Sequence, residues 1–139
     1  MSATRKARIS GALIALLALW PLAHRQLVTR YDLNPWKLYG FAMYCTPHSV
    51  AVDLIDLGVE PAREIHREEL PPSLREAYDR FVVQRHTLGA LHPPGELGRR
   101  VLKGLPEVDD LTIAVTVTQL PFAGSELASR TRFYRFRAR

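Results

Sequence analysis

The chain's one thiol lies three residues from an imidazole, in Cys45-Thr46-Pro47-His48. A cysteine attacks as its thiolate and needs a nearby base or positive charge to lower its pKa, so this pair could do nucleophilic chemistry. Closeness along the chain does not supply the geometry, because catalytic thiol and base normally meet through the fold. The plainer reading is a small, half-buried thiol. None of the five histidines, His24, His48, His66, His86 and His92, forms an H-x-x-H or H-x-x-x-H pair, and a structural zinc site would want several thiolates. No metal site and no cofactor are therefore expected, and the imidazoles are expected at the surface or as partly satisfied polar groups. Glu60, Glu64, Glu68 and Glu69 interleave with Arg63 and Arg67. Mixed charge at that density reads as a solvated face rather than an acid–base pair. The chain has neither a phosphate-binding G-x-x-x-x-G-K-[ST] loop nor a G-x-S-x-G elbow.

The elements that would position such residues begin with an apolar N-terminal run. Arg5, Lys6 and Arg8 precede Ile9–Ala23, fifteen residues without a charge. As a helix that run spans roughly 22 Å, short of a hydrocarbon core of about 30 Å. It lengthens through Leu27 and Val28 if His24 and Arg25 reach toward head groups. A cleaved signal peptide shares the basic tip and apolar centre, but Pro21-Leu22-Ala23 puts proline where a small residue is wanted. An uncleaved anchor is the preferred expectation. Basic residues are nearly balanced across the run, and the orientation expected places the N-terminus in the cytoplasm and the rest outside.

The next segment is aromatic. Tyr31, Trp36, Tyr39, Phe41 and Tyr44 are five of the chain's twelve Phe, Trp and Tyr residues. Rings with a polar tip suit the bilayer interface and also protein docking. Asn34-Pro35-Trp36-Lys37, followed by Gly40-Phe41-Ala42-Met43-Tyr44, resembles a segment of small single-pass bacterial proteins. Those proteins accompany HTTM proteins, membrane proteins related to the vitamin K-dependent carboxylase. The resemblance implies an accessory role and carries no catalytic residue to this chain.

Behind this segment, about 110 residues suffice for one domain with one core. A single cysteine precludes an internal disulfide. The net charge of +5 invites a nucleic-acid reading, which its distribution opposes. Residues 60–80 carry six acids against four bases, and Glu107, Asp109 and Asp110 cluster. The excess lies at the membrane flanks and in Arg130, Arg132, Arg135, Arg137 and Arg139, where anionic head groups attract bases at about 1 kcal/mol each.

Val50–Leu57 alternates as a strand, and Arg63–His66 reads as a second, short one. Ser73 and Glu76 have capping-box spacing, and Leu74, Ala77, Tyr78, Phe81 and Val82 form one apolar helical stripe ending at Gly89. Gly95–Lys103 predicts a shorter helix with Leu97, Val101 and Leu102 inward and Gly104 at its stop. Leu111–Leu120 predicts a strand with Leu111, Ile113, Val115 and Val117 opposite Thr112, Ala114, Thr116 and Thr118. Thr131–Ala138 alternates likewise, with Tyr134 and Phe136 opposite Arg135 and Arg137.

The expected fold is α+β: an N-terminal transmembrane helix, then a small antiparallel sheet with one or two packed helices. Residues 1–29 form the anchor, 30–49 the aromatic juxtamembrane segment and 50–139 the small α+β domain. The expected function is a single-pass, non-catalytic accessory protein, with membrane lipid and a second membrane protein as partners and no nucleic acid. The partner-binding residues are Asn34, Pro35, Trp36, Gly40, Phe41, Met43 and Tyr44. The alternatives are a membrane-associated thiol enzyme using Cys45 and His48, and a peripheral module binding anionic lipid through the terminal arginines.

Overall fold

The computed structural model describes residues 3–34, 48–119 and 126–138. Helix α1 spans Ala3–Tyr31, 29 residues or about 43 Å of axis. It continues well past both ends of the uncharged run, because no glycine or proline other than Gly11 and Pro21 interrupts a sequence rich in Ala, Leu and Arg. The segment Arg5–Tyr31 is long and apolar enough to cross a membrane. Leu13, Ile14, Leu16, Leu17, Leu19 and Leu22 are each 55–69% exposed. Six such side chains exposed on successive turns do not form a core-facing stripe. Pro21 removes one helical hydrogen bond, a loss that membrane helices accommodate.

Four antiparallel strands form one sheet: β1 (His48–Asp56), β2 (Arg63–Ile65), β3 (Asp110–Gln119) and β4 (Ala128–Arg137), ordered β2-β1-β3-β4. Two helices, α2 (Pro72–Leu88) and α3 (Gly95–Gly104), complete the α+β domain. The register places Val52 opposite Val115, Leu54 opposite Ile113, and Ile113 opposite Tyr134. Because strand side chains alternate, these residues share the face that α2 and α3 cover. Leu74 and Phe81 of α2, Leu97 and Val101 of α3, and Leu111, Ile113 and Val115 of β3 make the core.

Thr112 and Ala114 point to the other face as expected and are nevertheless buried. Their cross-strand neighbours explain this. Thr112 lies between Ile55 and Arg135, and Ala114 between Asp53 and Phe133, so larger side chains shield the small ones on a central strand.

The start of α2 corrects one expectation. Ser73 and Glu76 do not form a capping box: Pro71 is the N-cap and Pro72 the first helical residue. Proline's fixed φ and missing N–H suit that position, so the helix begins one residue before Ser73 can cap it. Glu76 instead pairs with Arg80. Gly89 ends α2 as expected, at φ +51°. In α3, Gly98 touches the Phe136 ring, and a Cβ there would meet ring carbons at 2.7 Å.

The apolar stripe of α2 runs one turn further than its sequence shows, into Arg85, which is fully buried. Its Nη1 donates to the His92 carbonyl at 3.1 Å, while Nε and Nη2 have no hydrogen-bond partner among the described residues. A buried guanidinium with unmet donors is costly. Arg85→Met, which keeps the bulk and removes the charge, is expected to leave stability unchanged or raise it in denaturant titration. Arg85→Ala, which leaves a cavity, is expected to lower it by about 2–4 kcal/mol.

Candidate functional site

The described residues meet in one polar junction, where the end of α1 seats on the domain. Trp20, His24, Leu27, Val28 and Tyr31 recur every three or four residues on one face of α1, and all are buried or half-buried. His24 and Val28 are 6% and 5% exposed. Trp20 and His24 stack with ring centroids 6.0 Å apart.

The helix then ends on Asp32 at φ +53°, a left-handed conformation that aspartate tolerates better than most residues. Gly89 is the surface against which it ends. A Cβ at Gly89 would lie 2.2 Å from the Tyr31 carbonyl oxygen and 2.4 Å from that of Asp32. Two backbone segments therefore pass at a distance that only glycine permits.

Side chains then fix the exit. The buried Asp32 carboxylate accepts from Arg132 Nη2 at 2.9 Å, with Arg130 Nη1 at 4.0 Å. Arg132 and Arg130 lie opposite Val115 and Val117 in the register, so they leave β4 on its core-facing side. Leu33 is fully buried. Asn34 donates its amide N–H to His86 Nδ1 at 3.1 Å, and His86 Nε2 donates to the His48 carbonyl at 3.2 Å. Those two bonds require the His86 proton on Nε2. One imidazole thus ties the third residue after α1 to the first residue of β1.

The His48 ring meets His86 edge-on with centroids 5.1 Å apart. Among the described residues neither His48 nitrogen has a hydrogen-bond partner of ordinary geometry. Burial, then the neighbouring His86, push its pKa down, and nearby Gln119 and Asp32 only partly oppose them. The ring is held neutral. It is placed to pack rather than to take a proton.

Of the expected partner-binding residues, Asn34 is in this junction and buried. Pro35, Trp36, Gly40, Phe41, Met43 and Tyr44 lie outside the described residues, as does Cys45. Asp32, His86, Gly89 and Arg132 were not singled out as site residues. The one sequence signal for Arg132 is its parity: it shares a strand face with Tyr134 and Phe136, a base on an apolar face. Of the five imidazoles, expected at the surface or as partly satisfied polar groups, His66 is exposed, His48, His86 and His92 are half-buried, and His24 is buried. The C-terminal arginines split into two groups. Arg135 and Arg137 bind Asp110 at the far end of the sheet, and Arg135 first among them holds the Asp110 carboxyl below the ordinary carboxylate range. Seven residues of strand separate Arg137 from Arg130, roughly 23 Å. Among the described residues no three His, Cys, Asp or Glu side chains are placed to hold a metal ion.

Comparison with known proteins returns no matching family model, no matching curated protein and no matching solved structure.

Gly89→Ala forces a strained φ and a backbone clash at once, and is expected to cost about 2–4 kcal/mol. Limited proteolysis should then cut faster after Arg30 than in the parent. The lowered pKa of His48 has a definite sign. The unfolded chain binds the proton more tightly, so the stability from keeping this ring neutral is full above the ordinary imidazole value of about 6.5 and is lost as pH falls below it. Denaturation midpoints at pH 7.5 and 5.0 should differ less for His48→Phe than for the parent.

Proposed function

We propose that this chain is a single-pass, membrane-anchored, non-catalytic accessory protein that docks on a second membrane protein through its aromatic juxtamembrane segment. Pro35, Trp36, Gly40, Phe41, Met43 and Tyr44 are the docking residues, and Asn34, buried against His86, holds their segment to the domain. The observation that carries the reading is the pairing of two features of α1. Its apolar side chains from Ile9 to Leu22 are exposed over roughly 20 Å of axis, and its last turn is seated on the domain at Gly89 and Asp32. A tether that served only to raise local concentration would need no such seat. A seated helix gives the domain one orientation relative to the bilayer, which suits a protein that meets a neighbour in the same membrane.

The aromatic segment, residues 30–49, runs through that seat and continues beyond Asn34 to Trp36, Tyr39, Phe41 and Tyr44 in the sequence. Tyr and Trp supply large amphipathic contact area at the depth where lipid gives way to water. Arg5, Lys6 and Arg8 flank the N-terminal end of the span, in keeping with a cytoplasmic N-terminus and an extracytoplasmic domain. Arg30, near the other end, lies over the Tyr31 ring at 5.8 Å, an arrangement suited to the head-group region.

The test is a photo-crosslinking residue in place of Trp36, expressed in the native host. Irradiation is expected to join the chain to one discrete membrane protein, with lower yield when Asn34→Ala loosens the seat. Recovery of the uncrosslinked chain alone from mild detergent would defeat the docking reading. Release of the intact chain by alkaline carbonate would defeat the anchor.

A further inference from the structure

β1 is nine residues long, but its outer neighbour β2 pairs with only three of them, Leu54, Ile55 and Asp56. Chain direction explains the shortfall: after Ile65 the backbone turns away into the single turn Arg67–Glu69. Among the described residues, no strand pairs with His48–Asp53 on that side. Backbone groups of a strand alternate in direction. The Leu57 N–H donates toward β3, to the Asp110 carbonyl, so the odd-numbered residues of β1 face β3 and Val50 and Val52 face outward. The Val52 carbonyl confirms this parity, since it accepts from the Tyr78 hydroxyl at 2.6 Å on the outer side.

A groove of about 540 Å³ runs along this free edge, with α2 as its other wall. Its floor is Val50 and Val52, and its wall is Val82 and Val83, the last 67% exposed. Arg67 at one end is committed to a two-pronged pair with Asp79. Asp53, on the other face of the sheet at the same edge, has no ion pair among the described residues, so the edge carries an uncompensated negative charge there.

We infer that the free edge of β1 and the valine face of α2 take an extended segment of another polypeptide, added antiparallel to β1 in line with β2. Main-chain bonds to Val50 and Val52 hold it, and side chains choose it. Cross-strand pairs sit directly opposite one another. Reading the segment from N to C, the residue opposite Asp53 is basic. The next, opposite Val52, is aliphatic and packs toward Val82 and Val83. The residue opposite Ala51 is unconstrained, and the one opposite Val50 is aliphatic again. Tyr78 shields the Val52 carbonyl in the empty groove, and the entering N–H shares or replaces it. This surface is separate from residues 34–44 and stands whether or not those residues dock on a membrane partner.

The test uses the full chain in lipid nanodiscs, panned against a phage library of random octapeptides. Recovered peptides are expected to share the pattern basic, aliphatic, any, aliphatic. A synthetic octapeptide of that pattern should slow deuterium exchange at the Val50 and Val52 amides. Val50→Pro deletes one outward N–H and should weaken its binding about tenfold. Val83→Ser alters an exposed position that folding does not need and should weaken it about threefold. Asp53→Asn should abolish the preference for a basic residue, and Tyr78→Phe should not weaken binding. The inference is overturned if no peptide is enriched or the enriched peptides lack the pattern. It is overturned equally if they bind Val50→Pro and Val83→Ser as well as the parent, or if Val50→Pro turns a dimer into a monomer, which would put a second copy on the edge.

Discussion

Gly89 has no side chain, and the carbonyls that end α1 occupy the space where one would be. That approach sets where α1 leaves the domain. It also sets which residues become neighbours. With Tyr31 and Asp32 against the cap of α2, the Asp32 carboxylate falls beside Arg132, Leu33 is driven out of solvent, and Asn34 reaches His86 one turn back along α2. A bulkier residue at 89 would move the helix, and each of those contacts would go with it. The buried Asp32–Arg132 pair adds little net stability, since desolvation offsets much of the attraction. Its value is directional. An aspartate buried at this point is satisfied only when β4 presents a guanidinium, so the pair rejects other exits for the chain.

The sheet supplies the two surfaces that matter beyond α1. The end nearest α1 carries His48, Arg130 and Arg132, which belong to the junction. Among the described residues its outer edge is unpaired beyond the short β2. The Tyr78 hydroxyl and the Arg67–Asp79 pair partly cover that edge, as natural sheets commonly protect an exposed strand. The opposite edge, β4, bears alternating arginines, a different protection that also discourages pairing.

Much of this architecture is legible in the residues. Alternation located β1, β3 and β4, and a period of three to four residues located α2 and α3, because each element buries one face against a common core. The start of α2 was misread, because a serine–glutamate pair at capping distance competes with Pro71-Pro72, and proline's fixed φ prevails. The apolar stripe of α2 was cut short, because Arg85 looks like solvent-facing charge until the fold closes over it. His48 drew attention for its closeness to Cys45, whereas its ring partner is His86, thirty-eight residues away.

From its sequence alone this chain declared an apolar N-terminal helix and an α+β domain behind it, since both are written in local pattern and residue type. Tertiary structure alone decided the seat of α1 and, among the described residues, the unpaired strand edge. The seat joins residues 32–34, 48, 86, 89 and 132, which no spacing rule relates. The edge depends on where β2 turns away. Both follow from how separate elements meet in space, and period and propensity are silent about that.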